Sequence, residues 1–280
     1  MNNKLSARNF LLQNNIEFEE NVKLDQFTYD FLVKDTLIVV ALSAIYNTSW
    51  SPLRSPCEKY TLRKMMLCAQ NHKYKFVCIF DWDNVTKVLS RFLENNLCCR
   101  ASKLNITEIS KQDADNFLDN YHLQGKCRGN TINIALLENN SVVSLMTFGK
   151  PRYNRNYQYE LLRLVTVPQV IIYGGASKMF SYFITKYTPE SVISYCDRSK
   201  FSGQVYTHLG FSLKSNSVSK HWVRLQDQLH FNDSLVRQHG CDQLVGTSYG
   251  KGTSNEQILL DNGFLPIWDC GQDTYVYKFE

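Results

Sequence analysis

The sequence lacks any apolar run of the roughly 18 to 20 residues that a membrane-spanning helix needs. Residues 1–12 also lack the basic and then apolar pattern of a secretory signal. No stretch repeats along the chain, and no stretch is of low complexity. These absences argue against integral membrane, secreted and repeat proteins, and we expect a cytoplasmic protein without a membrane partner.

The nine cysteines include no CxxC pair, which is the spacing found in many zinc and redox motifs. Cys78 and Cys196 lie inside apolar segments, where a free thiol packs as a small hydrophobic group. His239, Cys241 and Cys270 do not have the spacing of a known zinc unit. We therefore expect neither disulfides nor a cysteine-type zinc site.

Length and composition indicate a folded chain, with 280 residues, 44% of them hydrophobic and 20% charged. Residues 1–100 carry 13 basic and 10 acidic groups (+3), residues 101–225 carry 15 and 8 (+7), and residues 226–280 carry 3 and 8 (−5). The basic middle segment could attract phosphates, although proteins that never touch nucleic acid also show such a surplus.

Hydrophobic periodicity divides the chain into three parts. Residues 1–100 have predicted strands at 17–24, 28–33, 37–45 and 75–80 and predicted helices at 5–15, 58–71 and 85–95. Residues 101–225 have predicted strands at 104–110, 131–137, 141–149, 159–165 and 192–196 and predicted helices at 111–120 and 177–187. Residues 226–280 form a small C-terminal extension, in which 225–239 has the spacing of an amphipathic helix. We predict an α/β protein of the α+β type, with boundaries near residues 100 and 225.

The first part contains an incomplete set of nuclease residues. A metal-dependent nuclease presents an Asp on one strand and a Glu on the next, because paired carboxylates bind Mg²⁺, with a His or Lys nearby. Asp30 lies on a predicted strand, but residues 37–43 of the following strand include no acid. Asp30 could equally be a strand-end acid, and Asp81 and Asp83 could cap the next helix.

Residues 27–31, 37–45, 60–64 and 78–83 resemble the nuclease domain of phage homing endonucleases related to very-short-patch-repair enzymes, over about residues 8–95. The resemblance implies a restriction-endonuclease-like mixed sheet and the cytoplasm of a phage-infected cell. The family's second acid and two histidines fall here on Val40, Asn47 and Thr61, whereas Asp30 and Lys64 match.

This pattern predicts a nuclease remnant, with Lys64 as a leftover catalytic residue and Asp30 as a weak Mg²⁺ ligand. Cleavage would be lost and binding of double-stranded DNA retained. An alternative is an active endonuclease in which Glu17, Glu19 or Asp35 rebuilds the Mg²⁺ site.

The middle part has the order of elements that an acyl-CoA-dependent transferase needs. The predicted strand 159–165 is followed by Gly174-Gly175-Ala176-Ser177 at the start of a helix, where backbone amides can hold a pyrophosphate. A glycine turn alone is weak evidence, because most such turns bind nothing. The run 203–211 resembles the closing "Y..LGF" helix and turn of GNAT-fold acetyltransferases.

Residues 104–224 as a whole resemble the GNAT-like C-terminal domain of the same phage homing endonucleases. Tyr121-His122, Arg163, Ser177 and Asp197 are similar to the functional residues of Mom-like DNA-modifying proteins of phage. The resemblance implies acetyl-CoA or a related acyl donor. The implied cofactor-binding residues are Gly174, Gly175, Ala176, Ser177 and Lys178, and the implied catalytic residues are His122, Arg163, Ser177 and Asp197.

The roles expected of these residues follow from their chemistry. Arg163 could hold a phosphate or carboxylate, Asp197 could orient or accept a proton, and His122 could act as a base near neutral pH. The alternative is a structural ion-pair network of Glu160, Arg163, Asp197 and Arg198 between adjacent strands.

A basic and aromatic loop at 150–157 suits contact with phosphates and stacking on bases. Its candidate nucleic-acid contacts are Lys150, Arg152, Tyr153 and Arg155, joined by Arg198 further along the chain. The loop could equally be a solvated hairpin tip. The main hypothesis is therefore a DNA-binding relative of homing endonucleases with a degenerate nuclease site, and the alternative is a GNAT-like transferase that modifies DNA bases. The sequence indicates no oligomeric state.

Overall fold

A computed structural model describes residues 3–40, 60–93, 97–224, 226–227, 229–233, 236, 240–246 and 253–279. These ranges contain both helices and strands, and the strands form four sheets. None of the helices in these ranges is long and apolar enough to cross a membrane. The predicted α+β class is confirmed.

The N-terminal part is a four-stranded mixed sheet with helices on both faces. Its strands lie in the order β1 (Glu19–Leu24), β2 (Phe27–Val33), β3 (Thr36–Val40) and β4 (Lys75–Ile79). Its helices are α1 (Asn3–Gln13), α2 (Thr61–Asn71) and α3 (Val85–Leu89), and a 3-10 turn (Ser90–Phe92) follows. Strands β3 and β4 are parallel, whereas β1, β2 and β3 pair antiparallel.

Strand β3 is buried throughout because its two faces serve two cores. Leu37 and Val39 pack with helix α2, whereas Ile38 and Val40 pack with α1 and α3. This explains why the strand is apolar from Leu37 to Val40. The predicted strand 37–45 continues into residues that lie outside the described ranges.

The middle part is built on a seven-stranded sheet in the order β12-β16-β11-β9-β8-β7-β6. Its strands are β6 (Asn105–Glu108), β7 (Asn130–Glu138), β8 (Ser141–Gly149), β9 (Tyr159–Thr166), β11 (Ser191–Asp197), β12 (Ser212–Ser217) and β16 (Gln272–Lys278). Its helices are α4 (Lys111–Tyr121), α5 (Gly175–Tyr187) and α6 (Gln204–His208). Helix α5 packs on one face of the sheet and α4 on the other.

Two small sheets complete the fold. Strands β5 (Leu97–Arg100) and β10 (Val170–Tyr173) form a parallel pair, with a 3-10 turn (Ala101–Lys103) after β5. The C-terminal sheet has the order β14 (Leu229–Asn232), β13 (Lys220–Arg224) and β15 (Phe264–Trp268), accompanied by helices α7 (Cys241–Val245) and α8 (Asn255–Asp261).

The helix predicted over 225–239 is wrong at its centre, where β14 is a strand. Arg224 pairs with Asp227 at 2.8 Å, across the turn that joins β13 to β14. Leu229 and Phe231 then point to one core with Trp222 and Phe264, which is the two-residue period of a strand. Packing against β13 therefore overrides the helical spacing of the segment.

The C-terminal residues belong to the sheet of the middle part. Strand β16 lies between β11 and β12 and pairs antiparallel with both. The sheet thus crosses the boundary that we predict near residue 225, so that residues 101–217 and 272–278 share one hydrophobic core through Tyr275. The division of the chain into domains otherwise stays a prediction.

The N-terminal sheet is joined to the rest of the chain along strand β4. The backbone amide of Cys78 donates to the carbonyl oxygen of Ser199 at 2.8 Å, which covers an otherwise open sheet edge. The buried ammonium of Lys200 pairs with Asp83 at 2.7 Å. Val223 and Cys270 of the C-terminal segments also enter the N-terminal core. Asp83 therefore serves this junction, and the cap of helix α3 is Asn84.

Candidate functional site

Strands β9 and β11 stop pairing before either strand ends, which leaves an opening in the seven-stranded sheet. They pair in parallel over three positions only, from Tyr159 with Val192 to Leu161 with Ser194. On its other side, β9 continues to pair with β8 as far as Thr166. The β8–β9 register shifts around Leu162, and such a bulge bends a strand away from its neighbour. We call this opening the β9–β11 cleft.

A tyrosine that the sequence analysis did not select lies at the base of the β9–β11 cleft. Ser194 Oγ donates to the carbonyl oxygen of Leu161 at 2.9 Å, and the hydroxyls of Ser194 and Tyr206 are hydrogen-bonded at 3.1 Å. Burial raises the pKa of Tyr206 to about 12, so its phenol holds a proton at neutral pH. The signal that could have found it was the tyrosine of the "Y..LGF" run.

The position of Tyr206 depends on a glycine before its helix. Gly203 adopts φ +80°, and a Cβ atom there would lie 2.4 Å from the hydroxyl oxygen of Tyr275. Only glycine accepts both the left-handed backbone and this close approach. Helix α6 can therefore begin close to strand β16, where the ring of Tyr206 stacks on Tyr275 at 4.8 Å.

Arg163 lies beside the turn that contains His122 and Gly125. Arg163 Nη1 donates to the carbonyl oxygen of Leu162 at 2.9 Å, and Nε donates to that of Gly125 at 3.3 Å. Burial, and then the charge of Arg163, lowers the pKa of His122 to about 3. The imidazole is therefore neutral at neutral pH, where its Nδ1 accepts the amide hydrogen of Gln124. This corrects the expectation of a base that titrates near neutral pH.

Asp197 belongs to a different environment from Arg163. Its Oδ1 accepts the amide hydrogen of Ser199 at 2.8 Å, and burial raises its pKa against the opposing charge of Lys200. Asp83 and Asp269 are the other charges that act on it. Because β9 and β11 diverge, the end of β11 carries Asp197 to the junction with the N-terminal sheet. The structure therefore does not support Asp197 as a catalytic partner of Arg163.

The glycine turn before helix α5 exposes the first turn of that helix. Gly174 caps the 13-residue helix in a left-handed conformation, with φ +75° and no side-chain cap. Nothing lies within 4 Å of where its Cβ would be, and Ser177 is exposed. The first backbone amides of a helix and its dipole favour an anion at such a position.

Lys178 contacts the segment that follows strand β5. Its ammonium donates to the carbonyl oxygens of Ala101 at 2.9 Å and Leu104 at 2.6 Å. These contacts tie helix α5 to the segment that follows β5. The cofactor-binding role of Lys178 stays a prediction, whereas Gly174, Gly175, Ala176 and Ser177 lie in the turn and first helical residues as expected.

The loop between β8 and β9 contains both exposed and engaged basic groups. Lys150, Tyr153 and Arg155 are exposed, and Tyr153 meets the ring of Tyr195 edge-on at 5.9 Å. Arg152 instead binds Glu160: its Nη2 lies 2.6 Å from Oε1, and its backbone amide donates to Oε2 at 2.8 Å. Because Glu160 is fully buried, Arg152 is committed to the fold.

Arg198 is also committed to the fold, which corrects its placement on a DNA surface. Its Nη1 lies 2.5 Å from Asp273, and Nη2 donates to Gln70 of the N-terminal part at 3.3 Å. The alternative prediction of structural ion pairs therefore describes Glu160 and Arg198, but their partners differ from those predicted. Glu160 pairs with Arg152 and Arg198 pairs with Asp273, rather than with one another or with Arg163.

Asp30, the candidate Mg²⁺ ligand of the N-terminal part, is engaged by neighbours within that part. The carboxylate of Asp30 is buried, with Lys4 at 2.6 Å from one oxygen and the amide of Val40 donating to the other at 2.7 Å. Lys64 lies on helix α2, across the sheet from the α1 helix that carries Lys4. Asp30 thus holds α1 and β3 together.

The residues proposed to rebuild a metal site do not form one within the described ranges. Asp35 pairs with Lys75 at 2.8 Å, and Glu17 and Glu19 are exposed. None of these acids joins Asp30 in a group of three metal-binding side chains among the described residues. Thr61 starts helix α2, whereas Asn47 lies outside the described residues.

No protein-family model matches the sequence, and no curated protein matches it. Solved structures similar in shape include a GNAT-family acetyltransferase of Bacillus cereus (14% identity, TM-score 0.34, covering 63% of this chain and 98% of that one). An N-acetyltransferase of Staphylococcus aureus (12%, 0.37, 64% and 99%) is another. A Bacillus subtilis acetyltransferase in complex with CoA (11%, 0.35, 64% and 100%) is a third. Similarity at this level carries no inference about activity.

Proposed function

We propose that this protein is an acyl-CoA-dependent transferase of GNAT-like organisation, with its reacting groups at the β9–β11 cleft. The observation that carries the proposal is the cleft itself, with the protonated phenol of Tyr206 at its base. The element order, in which a strand is followed by a glycine turn, a helix and a second parallel strand, agrees with it.

The residues present fit an acyl-CoA. Beyond Leu161, the edge of β9 that faces β11 is not paired with that strand, so its main-chain groups are available to the amides of a pantetheine arm. The first turn of helix α5, at Gly175 to Ser177, would hold the phosphates. The bound thioester supplies an activated acyl group for transfer.

The side chains around the cleft have distinct tasks. Tyr206 holds a proton at Oη that it can deliver to a leaving group at the base of the cleft. Arg163 keeps a positive charge beside the bulge, where it can orient an anionic part of the acceptor. His122 is neutral at neutral pH, so Arg163 carries the positive charge at this place. The neutral imidazole can accept or relay a hydrogen bond.

Binding of the donor can be measured directly. We expect acetyl-CoA at a hundredfold excess over its Kd to stabilise the protein by about 2.7 kcal/mol, which raises Tm by several degrees. Ser177→Glu puts a negative charge at the exposed first turn and should weaken binding about tenfold. Ser181→Glu, exposed one turn further along α5, is the matched control and should bind normally. No thermal shift with wild-type protein would refute the proposal.

For the acceptor we favour nucleic acid, because exposed Lys150, Tyr153 and Arg155 combine positive charge with an aromatic face on one loop. Because Asp30 is engaged by Lys4 and Val40, cleavage is not part of this proposal.

The loop makes a prediction about duplex DNA. Arg155→Glu should weaken binding at least tenfold and reduce the slope of log affinity against log salt by about 1. Lys103→Glu changes an exposed lysine between β5 and β6 and should have little effect. Fluorescence anisotropy of a labelled duplex over a salt series measures both quantities. Equal losses in the two variants would place the DNA surface elsewhere.

A further inference from the structure

Three side chains that bind zinc in many proteins converge in the N-terminal part, far from the β9–β11 cleft in the sequence. Asp25 Oδ2 lies 3.1 Å from His72 Nε2 and 3.3 Å from Cys68 Sγ. All three ligand atoms lie within 4.8 Å of one another. The side chains of Asp25 and His72 are 60% and 44% exposed, so an ion in solvent can reach them.

Local structure explains why these residues meet. Cys68 and His72 lie four residues apart at the end of helix α2, where positions i and i+4 share one face. Asp25 lies in the tight turn between β1 and β2, with φ +50°, a conformation that Asp accepts more readily than most residues. Strand β2, which follows the turn, contacts the helix through Tyr29, whose hydroxyl donates to the carbonyl oxygen of Met65 at 2.8 Å.

Two of the three separations between the ligand atoms are close to those of a tetrahedral zinc site. Zinc bonds of about 2.3 Å to sulfur and about 2.0–2.2 Å to nitrogen and oxygen require ligand atoms roughly 3.3–3.6 Å apart. The observed separations from Asp25 Oδ2 are 3.1 and 3.3 Å, so these two pairs need shifts of only a few tenths of an ångström, and Cys68 Sγ and His72 Nε2 lie within 4.8 Å of each other. Thiolate, imidazole and carboxylate together suit zinc or cobalt better than Mg²⁺.

We propose that Asp25, Cys68 and His72 form a binding site for Zn²⁺, with water as the fourth ligand. The Cys68 thiol loses its proton to solvent on binding, so the bound ion is coordinated by a thiolate. The site uses a single cysteine, so it does not depend on the paired spacing that the sequence lacks. The ion ties the β1–β2 turn to helix α2 and thereby stabilises the N-terminal sheet.

Cobalt titration of the full-length protein tests the proposal, because a tetrahedral cobalt–thiolate site absorbs visible and near-ultraviolet light. We expect saturation at one Co²⁺ per chain and displacement of the spectrum by Zn²⁺. Cys68→Ser should abolish the thiolate band, and Asp25→Asn and His72→Gln should weaken binding at least tenfold. Cys98→Ser removes an exposed cysteine on β5 and should leave the spectrum intact.

A second measurement needs no variant and is independent of whether the variants fold. Stoichiometric Zn²⁺ should slow iodoacetamide modification of Cys68 at least tenfold, but not that of Cys98, as read by mass spectrometry of the peptides. The proposal is overturned if Cys68→Ser keeps the cobalt–thiolate band, if Co²⁺ gives no such band with wild-type protein, or if Zn²⁺ protects both cysteines equally.

Discussion

Arg152→Ala should lower the free energy of unfolding by about 3 kcal/mol, because it leaves a buried carboxylate without its cation. Glu160 is fully buried, and Arg152 holds one of its oxygens through Nε and Nη2. The alanine variant keeps the backbone amide bond to the other oxygen but loses the charge. Urea denaturation, with the midpoint and the slope both fitted, measures the change.

The neighbouring Arg155 supplies the matched control. Arg155 is exposed on the same loop, so Arg155→Ala should change the unfolding free energy by less than about 0.5 kcal/mol. Glu160→Gln in the Arg152→Ala background should recover part of the loss, because an amide costs less to bury than an unpaired carboxylate. If Arg152→Ala is as stable as Arg155→Ala, the ion pair with Glu160 does not stabilise the fold. Arg152 would then again be a candidate for contact with DNA.

Tyr206→Phe should reduce kcat for acyl transfer at least a hundredfold and leave acetyl-CoA affinity within about twofold. The phenol is the protonated group at the base of the β9–β11 cleft. Its loss leaves Ser194 bonded to the carbonyl oxygen of Leu161, so the strand pairing survives. Thiol release from acetyl-CoA, with duplex DNA as the acceptor, gives kcat, and calorimetry gives the affinity.

Tyr277→Phe tests whether any tyrosine of this core would have the same effect. Tyr277 packs against Phe211 at 5.5 Å in the same hydrophobic cluster, on the neighbouring strand β16. Removal of the Tyr277 hydroxyl should leave kcat unchanged. If Tyr206→Phe keeps wild-type kcat while Ser177→Glu still impairs acetyl-CoA binding, the transferase hypothesis stands but its proton comes from another group.

Local sequence patterns predicted the elements that depend on local interactions. The continuous apolar run that became β3 predicted a central strand, and residues 177–187 had the spacing of a helix, which the structure begins at Gly175. The error over 225–239 arose because the apolar residues of this segment fit both the spacing of a helix and the two-residue period of a strand. The pairing of β14 with β13 selected the strand, and that partner lies outside the window in which periodicity is read.

The candidate site was predicted in part for the same reason. The glycine turn and the "Y..LGF" run are contiguous, so their order could be recognised. The shared catalytic assignment of Arg163 and His122 stays a prediction, and the protonation state of His122 depends on burial beside a cation, which no linear pattern encodes. Asp197 was misplaced because the divergence of β9 and β11 is a property of the sheet.

The sequence by itself determined most of the strands and helices before residue 200 and which residues are apolar enough to be buried, since both depend on side-chain periodicity along the chain. Only the tertiary structure decided that β16 enters the sheet between β11 and β12, because strand pairing joins distant residues whose register no local pattern specifies. The tertiary structure also decided which charged side chains form buried ion pairs. Arg198 meets Asp273 across 75 positions, and such a pair forms only where the completed sheet removes both groups from water.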